Sequence, residues 1–144
     1  MQRKMLSTVG IALLSAMVVF QSVSALPVTT ELVLLADVSG SLDATDFELQ
    51  RDGYAAAFRD PAVLNAIDTY GDLAVTLVYW SAGQAVAVDW THIYDAASAD
   101  AFANAIETAP RPFNGSTYLA DGMVYGSGLF ADNGFEGDNL VMDV

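Results

Sequence analysis

The chain has 144 residues, 53% of them hydrophobic and 16% charged, with 18 Asp plus Glu against 5 Lys plus Arg and a formal net charge of -13. That length and apolar content suffice for one domain with a core, and so acidic a surface repels nucleic acid and anionic lipid while suiting divalent cations or cationic partners. The absence of cysteine excludes disulfides, thiolate metal sites and cysteine nucleophiles.

The first 25 residues read as a secretory signal. Arg3 and Lys4 form a charged start, Met5 to Phe20 is largely apolar, and Val23-Ser24-Ala25 is a small-residue cleavage site. The apolar stretch is short for a membrane span. The expected product is a secreted or periplasmic chain beginning at Leu26, with any membrane attachment only through uncleaved signal. Loss of Arg3 and Lys4 takes the net charge from -13 to -15 and leaves Arg51, Arg59 and Arg111 as the basic residues.

Glu31 to Ala36 is a continuous apolar run, the pattern of a strand buried on both faces. A turn over Asp37 to Ser41 follows, and Asp43-Ala44-Thr45-Asp46 supplies capping residues for a helix over about Asp46 to Phe58. Pro61 is expected to interrupt that helix, with a short further turn over Ala62 to Ile67. Leu73 to Trp80 is a second central-type strand. Ala82-Gly83 marks a tight turn, and Val86, Val88 and Trp90 alternate with smaller or polar residues as in a half-exposed edge strand.

Ser98 is expected to cap a helix ending before Pro110. Arg111 to Ser116 is a loop, Thr117 to Phe130 a helix made less regular by Gly122, Gly126 and Gly128, Asp132 to Asn139 a loop, and Leu140 to Val144 the start of another strand. Strands alternating with helices predict an open α/β sheet whose ligands sit beyond the carboxyl ends of its strands. Asp37 lies at such an end.

Asp37-Val38-Ser39-Gly40-Ser41 sets one carboxylate and two hydroxyls at alternating positions after a strand. These are hard oxygen ligands suited to Mg²⁺ or a similar divalent ion. Other chemistry finds less support. Asp37 as the nucleophile of a phosphoaspartyl hydrolase would want a second Asp two residues on, where Ser39 stands. His92 is the single histidine and has no evident Ser or Asp partner in sequence. Asn114-Gly115-Ser116 fits a glycosylation sequon, and Asp132 to Asp138 fails the calcium-loop spacing.

The D-x-S-x-S turn after an apolar strand resembles the metal-ion-dependent adhesion site of the von Willebrand factor type A domain. Asn114-Gly115-Ser116-Thr117 stands where that family carries a Thr loop, and Asp143, after Leu140-Val141-Met142, stands where it carries a final Asp. The strand pair of Leu73 to Trp80 with Ala85 to Trp90 is similar to its single antiparallel edge. The chain looks closest to a secreted bacterial branch known as a domain of unknown function.

The resemblance implies an open, doubly wound, mostly parallel sheet over residues 26–144. It implies a Mg²⁺ site (or Mn²⁺ or Ca²⁺) with Ser39, Ser41 and Thr117 as hydroxyl ligands and with Asp37 and Asp143 holding the ion directly or through water. An open metal position would take an Asp or Glu carboxylate from a protein partner, making the metal a bridge and the protein no enzyme. The family normally continues for two more strands, so the resemblance also implies a domain lacking its C-terminal strands. Such a sheet would expose an apolar edge, and a remnant that binds nothing is the further alternative.

Overall fold

A computed structural model describes residues 24–144; the signal read over Met1–Ala25 lies, up to residue 23, outside the described residues. The apolar run at the start of the folded region forms β1 (Leu26–Asp37), longer than its hydrophobic core alone suggests. It is followed by α1 (Ala44–Ala57), α2 (Pro61–Tyr70), β2 (Leu73–Trp80), β3 (Gln84–Ile93), α3 (Ala96–Thr108), α4 (Leu119–Gly128) and β4 (Phe135–Asp143). The sheet order is β3-β2-β1-β4. β1 pairs in parallel with β2 and with β4, and β2 pairs antiparallel with β3. The expected mostly parallel α/β sheet with one antiparallel edge is therefore the observed one.

Apolar side chains on the two faces of the sheet form two cores. On one face Leu34, Ala36, Leu77 and Tyr79 meet Phe47, Phe58, Ile67, Phe102 and Ile106 from α1, the segment after it, α2 and α3. Phe58 and Phe102 meet edge to face, with ring centroids 4.8 Å apart. On the other face Val33, Leu35, Val78 and Trp80 form a smaller core with Trp90, Leu129, Phe130 and Met142. α4 lies over this second face because its glycines remove the side chains that would hold it away. A Cβ on Gly122 would sit 3.0 Å from Trp80 Cγ, and one on Gly126 would sit 3.0 Å from Leu35 Cδ2. The glycines thus set a close helix–sheet approach and do not break the helix.

Four local expectations are corrected. Pro61 opens α2, which Asp60 caps by accepting from the Ala62 amide, because proline's fixed φ and missing N–H suit a first helical position. α3 starts at an Asp95 cap, and Ser98 is the reciprocal member of the capping box three residues in. β4 begins at Phe135, five residues before the apolar run, because that polar stretch pairs with the start of β1 from Leu26 onward. The alternation in β3 does not keep to one face: register shifts opposite Val75 to Val78 send Val88 to the first core while Val86 and Trp90 pack on the second. Thr76 Oγ1 donates to Val88 O at 2.8 Å where the ladder is irregular.

One buried charge-bearing group sits on the central strand. Glu31 is only 2% exposed, and its carboxylate accepts from the Gly137 amide at 2.7 Å and from Asn133 Nδ2, so its lone pairs are met by β4 and the turn before it.

At the amino end of the sheet, Asp72 Oδ2 accepts from His92 Nε2 at 2.5 Å, and Asp72 Oδ1 accepts from Thr29 N and Oγ1 at 3.3 and 3.4 Å. The His92 hydrogen bond, helped by those from Thr29, holds the Asp72 carboxyl below the usual carboxylate range. A carboxyl whose pKa is lowered by folding stabilises the fold above its unfolded value, 3.8 here, and that contribution is lost as pH falls through the lower folded value. His92→Ala is therefore expected to move the acid-unfolding midpoint to higher pH, read by circular dichroism against pH; an unmoved midpoint would refute the tie.

Candidate metal centre

The candidate ligands stand where β1 leaves the sheet. Asp37 pairs with Trp80 at the carboxyl ends of two adjacent parallel strands, and the Val38 amide makes one more bond to Trp80 O at 2.9 Å before the chain turns away. Asp37 Oδ1 then accepts from the Ser39 amide at 2.7 Å, an Asx turn that orients the carboxylate. Ser39 is buried, 1% exposed, and its Oγ lies 3.2 Å from Ser41 Oγ. Adjacent oxygens around a Mg²⁺ ion with bonds of about 2.0–2.1 Å stand about 3 Å apart, so these hydroxyls have the spacing of neighbouring ligands. Gly40, between them, faces a second loop; a Cβ there would stand 3.5 Å from Gly115 O, an ordinary contact.

That second loop is the segment before α4. The Gly40 amide donates to Gly115 O at 2.8 Å, which joins the D-x-S-x-S turn to the Asn114-Gly115-Ser116-Thr117 stretch 75 positions later in the chain. Gly115 is pressed against the β2–β3 turn: a Cβ there would come within 2.9 Å of Ala82 Cβ and 3.5 Å of Ser81 Oγ. Thr117 is exposed two residues beyond this contact, immediately before Tyr118, the residue that precedes α4 and gives it no side-chain cap.

Asp143 is placed differently. It pairs with Leu34, three residues before Asp37 and so about 10 Å back along the strand. Leu34 and Asp37 are an odd number of residues apart, which puts Asp143 on the α1 side of the sheet, opposite to the side of Asp37. Consistent with that, burial first and the Asp143 charge second raise the pKa of Tyr54 on α1. The structure thus brings together Asp37, Ser39 and Ser41, sets the Thr117 loop beside them, and leaves Asp143, the last residue of β4, opposite Leu34 and short of the end of β1.

Among the described residues no three His, Asp or Glu side chains converge as a metal-binding group. The donor set at the end of β1 is of another kind, one carboxylate with neutral hydroxyls, and it fits a hard divalent ion by donor chemistry and by the Ser39–Ser41 spacing. Ser81 Oγ, buried without a hydrogen-bond partner, adds an unspent oxygen beside Gly115.

Two groups escaped the sequence reading. Arg111, read there only as the first residue of a loop, donates through Nη2 to Val38 O at 2.9 Å and Ser39 O at 2.7 Å and through Nη1 to Leu42 O at 3.1 Å. Ser81 was hidden in a turn. The available signal for Arg111 was its isolation between two prolines in a chain with so few cations.

Residues 27–144 match the model of a family described as a protein of unknown function, DUF1194. No curated protein matches the chain. Among solved structures, the chain is similar to the vWF domain of the type V pili tip protein Mfa5 from Porphyromonas gingivalis, with a TM-score of 0.51 and 14% identity over 80% of this chain and 36% of that one. A structure of three N-terminal domains of the same pilus-tip protein gives a TM-score of 0.47 at 14% identity over 83% and 20% of the two chains. The chain thus spans about a third of the first structure's length and a fifth of the second's, and at 14% identity the likeness to the first is one of fold, a von Willebrand factor A-like sheet with helices on both faces.

The inter-loop contact yields a test. Gly115→Ala should force a Cβ against Ala82, costing about 1–3 kcal/mol of stability as overpacking does, and Ala82→Gly in the same chain should recover most of it; chemical denaturation of the two variants measures both. Equal stability of Gly115→Ala and the parent would show that the loops do not meet as described.

Proposed function

The chain belongs to the DUF1194 family, and from that premise and the geometry at the end of β1 we propose that it is an exported, adhesion-type binding module whose contact with a protein partner depends on a divalent cation. The observation that carries this reading is the pair of hydroxyls of Ser39 and Ser41, 3.2 Å apart, beside a carboxylate whose orientation is fixed by the Ser39 amide. Asp37, Ser39 and Ser41 would hold Mg²⁺, or Mn²⁺ or Ca²⁺ in its place, and Thr117 would join them from the neighbouring loop. Asp143, at the end of β4 and on the other side of the sheet, would contribute its charge at a distance.

Hydroxyl ligands are neutral, so an ion held mostly by them keeps residual positive charge and an open coordination position. An Asp or Glu carboxylate of a protein partner is the ligand such a position accepts best. The likeness to a pilus-tip domain accords with an adhesive role. Export accords with the charged, apolar and small-residue segments of the first 25 residues and with a first strand that begins at Leu26, so that cleavage after Ala25 would leave the sheet whole. Among the described residues no helix is long and apolar enough to cross a membrane.

Titration calorimetry with Mg²⁺ and Mn²⁺ tests the site. Asp37→Ala and Ser39→Ala are expected to weaken binding by roughly tenfold or more with unchanged circular dichroism. A parent protein that takes up neither ion overturns the proposal. Turnover of a generic phosphate ester that disappears in Asp37→Ala would replace it with a hydrolase.

A further inference from the structure

The turn that carries the candidate ligands lies between the last residue of β1 and Asp43, the cap of α1, and has little regular structure of its own. Its own internal bonds are the Ser39 amide on Asp37, the Leu42 amide on Ser39 O at 3.1 Å, and the hydrogen bond between the Ser39 and Ser41 hydroxyls at 3.2 Å. Three of its carbonyls, those of Val38 and Leu42 and that of Ser39, which the Leu42 amide shares, converge on the guanidinium of Arg111, which also lies 5.6 Å from the centre of the Phe47 ring at the start of α1. Hydrogen bonds from a charged donor are short and strong, and the planar fork lets one side chain serve several carbonyls in a fixed arrangement.

The placement is costly in two respects. Arg111 Nε is buried without a partner. In addition, a positive charge stands beside a turn whose oxygens suit a cation. Arg51 and Arg59 lie against carboxylates of Asp52, Asp100 and Glu107, whereas Arg111, among the described residues, makes no such pair. A guanidinium kept there in so acidic a chain contributes shape, since by charge alone it would oppose the ion.

We infer that Arg111 is a positioning residue for the metal turn: by drawing back the carbonyls of Val38, Ser39 and Leu42 it leaves the hydroxyls of Ser39 and Ser41 as the oxygens that face the ion, and it thereby sets a preference for Mg²⁺ over Ca²⁺. The inference rests on the metal-binding reading above. Its physical basis is the difference in tolerance between the ions. Mg²⁺ demands a near-ideal octahedron, whereas Ca²⁺ accepts six to eight oxygens in irregular array and readily takes backbone carbonyls. A turn whose carbonyls are released should lose the smaller ion first.

Arg111→Lys keeps the charge and loses the fork. With the full chain, calorimetric titrations with Mg²⁺ and with Ca²⁺ should show Mg²⁺ affinity falling about tenfold or more while Ca²⁺ affinity changes by less than about threefold, and in metal-free protein the Gly40 amide should exchange its hydrogen faster. Arg111→Gln, which removes the like charge, should also weaken Mg²⁺. Parallel loss of both ions with a matching fall in melting temperature would reduce Arg111 to ordinary structural support, and tighter Mg²⁺ binding by Arg111→Gln would show that its charge dominates; either overturns the inference. If the variants do not fold, the Arg111 side chain of the parent is read by NMR. Slowly exchanging, non-equivalent Nη protons without metal support the clamp, and a freely rotating guanidinium refutes it. A parent that binds neither ion overturns the metal-binding reading and this inference with it, whereas a parent that binds and an Arg111→Lys variant that binds both ions unchanged overturn the inference alone.

Discussion

Strand β1 is hydrogen-bonded to a parallel neighbour on each side and covered by apolar side chains on each face, and the rest of the molecule takes its position from that strand. A strand so enclosed has little freedom of register, because a slip of one residue would exchange Val33 and Leu35 with Leu34 and Ala36 and mismatch two close-packed cores. The residue at which it leaves the sheet is therefore fixed. That residue is Asp37, and the turn after it inherits a defined starting point from the packing of Val33, Leu34, Leu35 and Ala36 below it.

What β1 fixes at one end, contacts with distant segments complete. Gly40 reaches Gly115, Gly115 rests on Ala82, and Arg111 closes on the turn from the same segment. Three connections, after β1, after β2 and before α4, thus meet above the carboxyl ends of the central strands, where open α/β sheets hold their ligands. Small residues make the meeting possible and one large cation holds it. The side-chain oxygens gathered there are hydroxyls and a carboxylate, a set with little to offer a soft metal and much to offer a hard one.

Much of this was legible in the sequence because the signals were local and strong. An apolar run ending in Asp-x-Ser-x-Ser gave β1 and its turn, and the run Leu73 to Trp80 gave β2 to the residue. The failures were also physical. The polar start of β4 carries no hydrophobic pattern, since it follows its partner strand and gains its bonds from pairing. The role of Ser98 was mistaken because either member of a capping box can pass for the cap when the partner residue is not weighed. Asp143 was placed by order along the chain, which carries no information about register: its pairing with Leu34 is a long-range property. Arg111 could not be found by ligand chemistry at all, because its partners are main-chain carbonyls and every residue has one.

Glu31 has a consequence for how the molecule assembles. Its carboxylate sits in the middle strand, yet both of its donors, Asn133 and Gly137, lie 102 and 106 residues further along the chain. Until β4 docks, those carboxyl oxygens have only water to satisfy them, and a polar group cannot be sealed into an apolar layer without partners. Burial of Glu31 is therefore coupled to the docking of β4, a contact between segments more than a hundred residues apart in the chain, of the kind whose closure is slow.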